Sequence, residues 1–239
     1  MTNHWFSLTP EDFFHRYGPQ AEADILSGAY ARAVAESSPF VCRSLVDIGC
    51  GDASVTARVA QLVGVEQRSI LGIDVNSALL ERASNTLPAA QFIDLGLRTP
   101  RSDSTNSLLE HALRTAAEQS PVAIVLWNVL HHLTLKELRR WTVVIRDVVS
   151  RVRQVAVFAS AWSATAREAE KFRSELLPVG IDQRVCWDAS GRLRDITDAI
   201  GAVAPIVRSF SLQLSPGDIR EHYGDVPTVP RTVMVFRTF

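Results

Sequence analysis

Five short apolar runs constrain the fold of this chain more than any other feature. They are SLVDI (44–48), SILGI (69–73), AQFI (90–93), VAIVLW (122–127) and QVAVFA (154–159). Few polar residues alternate within them, as expected of strands buried on both faces. The stretches between them have helical periodicity. Val55, Val59 and Leu62 fall on one face after the first run, and Leu109, Leu113 and Ala116 do so before the fourth. TLKE (134–137) is a capping box that opens a long helix toward Val152. Strand and helix in alternation predict right-handed crossovers and a parallel sheet covered on both sides. The tail departs from this rhythm. IVRSFSLQL (206–214) and RTVMVFRTF (231–239) read as strands, and Ser215 caps a short helix from Pro216 between them. That is too little helix for a crossover, so an antiparallel pair is expected.

The 239 residues suffice for one α/β domain with a substantial core, and no linker divides them. TPEDFF gives a helix start, with Thr9 as N-cap and Pro10 at the first helical position; a second helix is expected over about 19–37. Residues 1–40 therefore read as a helical cap or lid, and 41–239 as the sheet domain. The net charge of −1 argues against an obligate nucleic-acid or anionic-membrane partner. The three cysteines, Cys42, Cys50 and Cys186, form no C-x-x-C pair, which disfavours a disulfide frame or a zinc cluster. The N-terminal stretch is too polar for a signal peptide, and no apolar run reaches 18 residues. A reduced, cytoplasmic protein is the expectation.

The first run ends in LVDIGCGDAS (45–54), a carboxylate at the mouth of a buried strand followed by two glycines. In an open parallel sheet, ligands bind beyond the carboxyl ends of the strands, where strand order reverses. Gly49 and Gly51 would let a ligand approach the backbone there. A ligand-free strand-to-helix turn would need the glycines but not the acids. A dinucleotide site would need G-x-G-x-x-G; here Gly49, Gly51 and Ser54 leave the third glycine missing, and Asp47 and Asp52 would repel a pyrophosphate. A ligand with a ribose and positive charge but no phosphate reverses that logic. S-adenosylmethionine, with its sulfonium and ammonium, is one. Asp74 ends the second run 23 positions after Gly51, where an acceptor for ribose hydroxyls belongs. Asp94 ends the third run, placed to accept from an adenine exocyclic amine. The fourth leads into Trp127, Asn128, His131 and His132.

The ordered set D-I-G-C-G-D (47–52), G-I-D (72–74), Asp94 and L-W-N-V-L-H-H-L (126–133) resembles class I S-adenosylmethionine-dependent methyltransferases over about residues 44–159. The resemblance implies a Rossmann-like doubly wound sheet of about seven strands, mostly parallel with the last antiparallel. It implies that Asp47 and Gly49 line the methionine part of the cofactor and that Gly51 allows its close passage. Asp74 would bind the ribose diol, Asp94 with Leu95 the adenine, and Asn128 would border the methionine end. Cys50, Asp52 and Val75 lie in the same two turns. The product would be S-adenosyl-L-homocysteine. Ala53 stands where many members have a third glycine, a departure compatible with a normal helix start.

Methyl transfer is an in-line displacement that rests on proximity and orientation. An oxygen or nitrogen acceptor also needs a base, and His131 or His132, just before the Thr134 cap, could supply it; either could instead only shape the loop. Trp162 at the end of the fifth run, and His222 and Tyr223 between the last two, would lie on the carboxyl-end rim and could contact an acceptor. Tyr17, in FFHRYG, could close over the cofactor. The arginine-rich stretch from 139 is diluted by Glu168, Glu170, Glu175 and Asp182, so a small-molecule acceptor, O- or N-methylated and perhaps biosynthetic, is favoured. RNA or protein methylation is the alternative. An NAD(P)-dependent oxidoreductase and an inactive partner subunit of the same fold stay open. No metal-ligand constellation is visible.

Overall fold

The computed structural model describes residues 32, 35–36, 41–95, 103–118, 120–127, 129, 135–162, 197–204, 206–212 and 231–238. Seven strands form one sheet in the order β3-β2-β1-β4-β5-β7-β6. They are β1 (Ser44–Ile48), β2 (Ile70–Asp74), β3 (Gln91–Asp94), β4 (Val122–Leu126), β5 (Val155–Trp162), β6 (Ile206–Leu212) and β7 (Arg231–Arg237). β1 to β5 run parallel, and β7 is antiparallel to both β5 and β6. The expected architecture is therefore present, with an antiparallel pair in the tail. The strands extend slightly beyond the apolar runs. Asp74 and Asp94 are the last residues of β2 and β3, and β5 continues to Trp162. Strand order reverses between β1 and β4, whose carboxyl ends flank the crevice where such sheets bind ligands.

Four helices are described along the crossovers: α1 (Ser54–Val63), α2 (Ser77–Thr86), α3 (Asp103–Ala117) and α4 (Leu135–Val149). Alternate strand residues point to opposite faces. Val46, Ile48, Leu71, Ile73, Ile124 and Val157 join one core cluster with Leu109 and Leu113 of α3 and Leu138 and Ile145 of α4. Leu45, Ile70, Val125 and Phe158 join a second with Val59 and Ala60 of α1 and Ala83 of α2. Both faces are thus filled, which is why the strands read as continuous apolar runs.

Helix α1 corrects one detail. Of Val55, Val59 and Leu62, Val59 is buried and Val55 packs beside it, but Leu62 is exposed. Thr56 and Ala60 are buried with Val59, and Val63 completes the inner face. The helix starts only at Ser54, so its buried stripe is rotated and takes in a threonine. The capping-box threonine, the segments before residue 41 and the short helix expected from Pro216 lie outside the described residues.

Register places Gly72 between Asp47 on β1 and Phe92 on β3. A Cβ on Gly72 would sit 2.6 Å from the Phe92 ring and 2.9 Å from Cys50 Sγ. The glycine makes room for both. Gly72→Ala should therefore destabilise the fold by roughly 1–3 kcal/mol, as overpacking does. Urea unfolding checks this, and trimming the ring in Gly72→Ala/Phe92→Leu should recover part of the loss.

Candidate functional site

The three parallel strand tips β1, β2 and β3 bring the predicted acids together at one edge of the crevice. At the tip of β1 the chain leaves the sheet through Gly49 (φ +82°) and Gly51 (φ +56°). The Gly49 and Cys50 N–H groups donate to the Ile73 carbonyl at 2.7 and 3.2 Å, so the turn is still anchored on β2. The two glycines do different work. A Cβ on Gly49 would lie 2.7 Å from Val129 Cγ2, whereas one on Gly51 would meet nothing within 4 Å among the described residues. Gly49 is where the turn packs against the chain following β4. Among the described residues Gly51 faces open space, as a turn approached by a ligand should.

Asp74 ties the turn to β2. Its Oδ2 accepts from the Gly51 N–H at 2.8 Å, and its Oδ1 accepts from the Val75 and Asn76 N–H groups at 2.7 and 2.9 Å. Asn76 in turn caps α2, its Oδ1 accepting from the Ala78 and Leu79 N–H groups. The acid at the strand tip and the cap of the next helix are thus two residues apart, at 74 and 76. The Leu95 N–H donates to the Asp74 carbonyl at 2.8 Å, which fixes the tip of β3 alongside. Asp94 is exposed and pairs in register with Asp74, while Leu95 is buried.

Asp52 and Ala53 make the start of α1. Asp52 Oδ1 accepts from the Ser54 N–H at 3.1 Å and its Oδ2 from the Ser54 hydroxyl at 2.8 Å. Ala53 sits in the left-handed region at φ 62°, ψ 13° and is fully buried. The helix start is therefore not ordinary. The conformation that a third glycine would adopt freely is imposed on an alanine, at a cost of roughly 1–2 kcal/mol.

Asp47 is the unusual group. It is buried at 3% exposure, on the face of β1 that meets α1. Its Oδ2 accepts from the Thr56 hydroxyl at 2.6 Å. Its Oδ1 is buried and has no hydrogen-bond partner among the described residues. Burial, with a smaller push from the charge of Asp74, raises the Asp47 carboxyl to about 7, and the Thr56 hydrogen bond opposes this. Asp74 is raised too: burial outweighs its three backbone donors, and Asp94 adds repulsion. Burial, followed by the charges of Asp74 and Asp47, pushes the Cys50 thiol well above its ordinary range. Cys50 is thus a packed thiol against Gly72, not a nucleophile. Buried carboxylates with an unmet acceptor oxygen suit a cationic ligand and repel a phosphate.

Asp47, Gly49, Cys50, Gly51, Asp52, Asp74, Val75, Asp94 and Leu95 are brought together by these three strand tips. Asn128, His131, His132, Tyr17, His222 and Tyr223 lie outside the described residues, as does the side chain of Trp162, whose backbone closes β5 opposite Arg231. Three further residues shape the site without having stood out in the sequence: Thr56, Val129 and Gly72. Of these only Thr56 had a readable signal, a polar residue at i−3 and i−4 from Val59 and Ala60. Among the described residues, no helix is long and apolar enough to cross a membrane.

Residues 46–158 match the family described as a methyltransferase domain. No curated protein matches the chain in sequence. Solved structures share the fold at low identity. One is a SAM-dependent methyltransferase from Archaeoglobus fulgidus, with 12% identity and a TM-score of 0.55 over 95% of this chain and 99% of that one. Another is magnesium protoporphyrin IX methyltransferase (ChlM) from Synechocystis PCC 6803, with bound SAH, at 14% identity and a TM-score of 0.53 over 95% and 97%. A TehB-like SAM-dependent methyltransferase from Corynebacterium glutamicum matches at 14% identity and a TM-score of 0.51 over 94% and 97%.

The Asp47 carboxyl predicts a pH dependence of stability. With a native value of about 7 and an unfolded value near 3.8, the native state holds the extra proton between those limits. Stability from this group is full below the unfolded value and is lost as pH rises through 7. Asp47→Asn removes the loss, so the variant should gain stability relative to wild type between pH 4 and pH 8. Urea unfolding at both pH values checks this; a difference that does not change with pH would refute it.

Proposed function

We propose that this chain is a class I S-adenosylmethionine-dependent methyltransferase, that the β1–β2–β3 edge of the crevice binds the cofactor and that the methyl acceptor is a small molecule. The observation that carries this reading is the buried, partly unmet Asp47 carboxylate beside an open glycine turn latched by Asp74. Asp47 and Gly49 would lie along the methionine part, with Cys50, Asp52 and Asn128 bordering it. Asp74 spends three acceptor positions on backbone N–H groups and keeps one lone pair on Oδ2 for a ribose hydroxyl. Val75 would flank the ribose, and Asp94 with Leu95 would hold the adenine. Residues 1–40 with Tyr17 would cover the cofactor.

The bound cofactor supplies an electrophilic methyl on a sulfonium. The protein's own part is to hold the reacting groups in line and to exclude water. His131 or His132 would take the proton from an oxygen or nitrogen acceptor, with Trp162, His222 and Tyr223 shaping its pocket. A small-molecule acceptor is supported by the net charge of −1, which disfavours a polyanionic partner.

S-adenosylmethionine and S-adenosylhomocysteine should both raise the melting temperature, and NAD and NADP should not. Ligand at a hundredfold its Kd adds about 2.7 kcal/mol. The two glycines give a sharper test than Asp74, whose loss would also release the turn. Gly51→Ala should fold, with a cost of roughly 1–2 kcal/mol from its left-handed φ, yet bind S-adenosylhomocysteine at least about tenfold more weakly. Gly49→Ala should lose folding stability outright through Val129. Wild-type affinity in Gly51→Ala would show that no ligand passes that turn.

If one of the histidines is the base, its alanine variant should keep cofactor affinity while turnover falls roughly 100- to 10,000-fold. The wild-type rate should rise with pH through a single transition that the variant lacks. Near wild-type turnover in both His131→Ala and His132→Ala, with an unchanged pH profile, would leave methyl transfer to proximity alone.

A further inference from the structure

Helix α1 carries one polar side chain fully into the core. Thr56 is 0% exposed, in line with Val59 and Ala60 on the inner face. A threonine in a helix commonly returns its hydroxyl to the carbonyl four residues back. Here it donates instead to Asp47 Oδ2, nine positions away, at 2.6 Å. That length is typical of a hydroxyl donating to an ionised carboxylate. A β-branched side chain in a helix has little χ1 freedom, so the direction of this bond is set by the helix backbone.

The rest of the Asp47 environment gives it little. In the sheet its neighbours are Gly72 and Val125, neither of which can donate from a side chain. Among the described residues, the titratable groups that interact with it are Asp74 on β2 and Cys50 in the turn, and neither brings positive charge. Among the described residues Thr56 is the donor to this carboxylate, and Oδ1 is left without a partner.

We propose that Thr56 is a positioning residue of the cofactor site: its hydroxyl holds Asp47 Oδ2 and leaves Oδ1 as the acceptor offered to the cationic end of the ligand. The inference rests on the cofactor reading above and extends it to a residue on α1. Thr56 touches neither ligand nor acceptor; it acts through Asp47. Without its hydroxyl, the carboxylate loses the group that favours its charged form. Burial and Asp74 then act unopposed, and the carboxyl stays protonated to higher pH. A protonated Asp47 attracts a cation poorly.

The test is the affinity for S-adenosylhomocysteine, measured by calorimetry from pH 5.5 to 8.5. The range should include the rise of wild-type affinity as Asp47 ionises. In Thr56→Val, nearly isosteric and without a donor, this rise should move to higher pH. Affinity at pH 7 should fall roughly tenfold, the usual loss for a hydrogen bond to a charged group, and recover toward wild type at the alkaline end. Thr56→Ser should restore the wild-type profile, and Asp47→Asn should lack this limb altogether. Should Thr56→Val fail to fold, Thr56→Cys, of similar size and a weak donor, should show the same displacement. An equal loss of affinity at every pH would mean that Thr56 only packs, and would overturn the proposal. So would a profile identical to wild type. A wild-type protein that does not bind S-adenosylhomocysteine at any pH would instead bring down the cofactor reading itself, and the proposal with it.

Discussion

Asp74 joins the tip of β2 to two pieces of chain remote from it in sequence. Through the Gly51 N–H it holds the turn after β1, and through the Val75 and Asn76 N–H groups it closes the end of β2. Its own carbonyl receives the Leu95 N–H beyond β3. A carboxylate that accepts several backbone N–H groups is well solvated by them, which partly offsets the cost of its burial. With the Gly49 and Cys50 N–H groups on the Ile73 carbonyl, Asp74 sets the position of each strand tip against the next. Its Oδ2 draws the Gly51 end of the turn toward β2.

Around that latch the protein gathers negative charge and supplies no positive side chain from the turn or from the tips of β1, β2 and β3. Asp74 raises Asp47, Asp94 raises Asp74, and the buried Cys50 thiol is raised by both Asp74 and Asp47. Such an arrangement costs stability in the free protein. It is a poor way to build a core and a reasonable way to receive a cation. On the proposed reading, the same carboxylates would favour a sulfonium-bearing nucleoside over a pyrophosphate at this turn.

Much of this was legible in the sequence because its cues are local. Buried parallel strands announce themselves as apolar runs, and an acid ending such a run is visible at 47, 74 and 94. The crowding of Phe92 and Cys50 on Gly72, and of Val129 on Gly49, was not legible, because it depends on register between strands far apart in the chain. Thr56 was missed for a smaller reason. The inner face of α1 was phased on Val55 and Leu62, and where the helix begins decides which residues face in. The left-handed Ala53 immediately before Ser54 sets that start. An alanine does not signal such a conformation, whereas a glycine in its place would have.

These departures share a physical cause. Ala53 in the left-handed region, a buried carboxyl oxygen without a partner and carboxylates set within reach of one another are each unfavourable for folding. They fall within one short segment, 47–56, with Asp74 beside it; a second left-handed non-glycine residue, Gln154, precedes β5. Several costs gathered in one place fit a site under functional constraint. For Asp47 the use is specific. A carboxyl poised near neutrality changes its charge at little expense, so a cation brought beside it can recover as binding energy part of what burial cost during folding. The Thr56 hydroxyl, the one group on α1 that opposes that burial, determines how much of this exchange is complete before the ligand arrives.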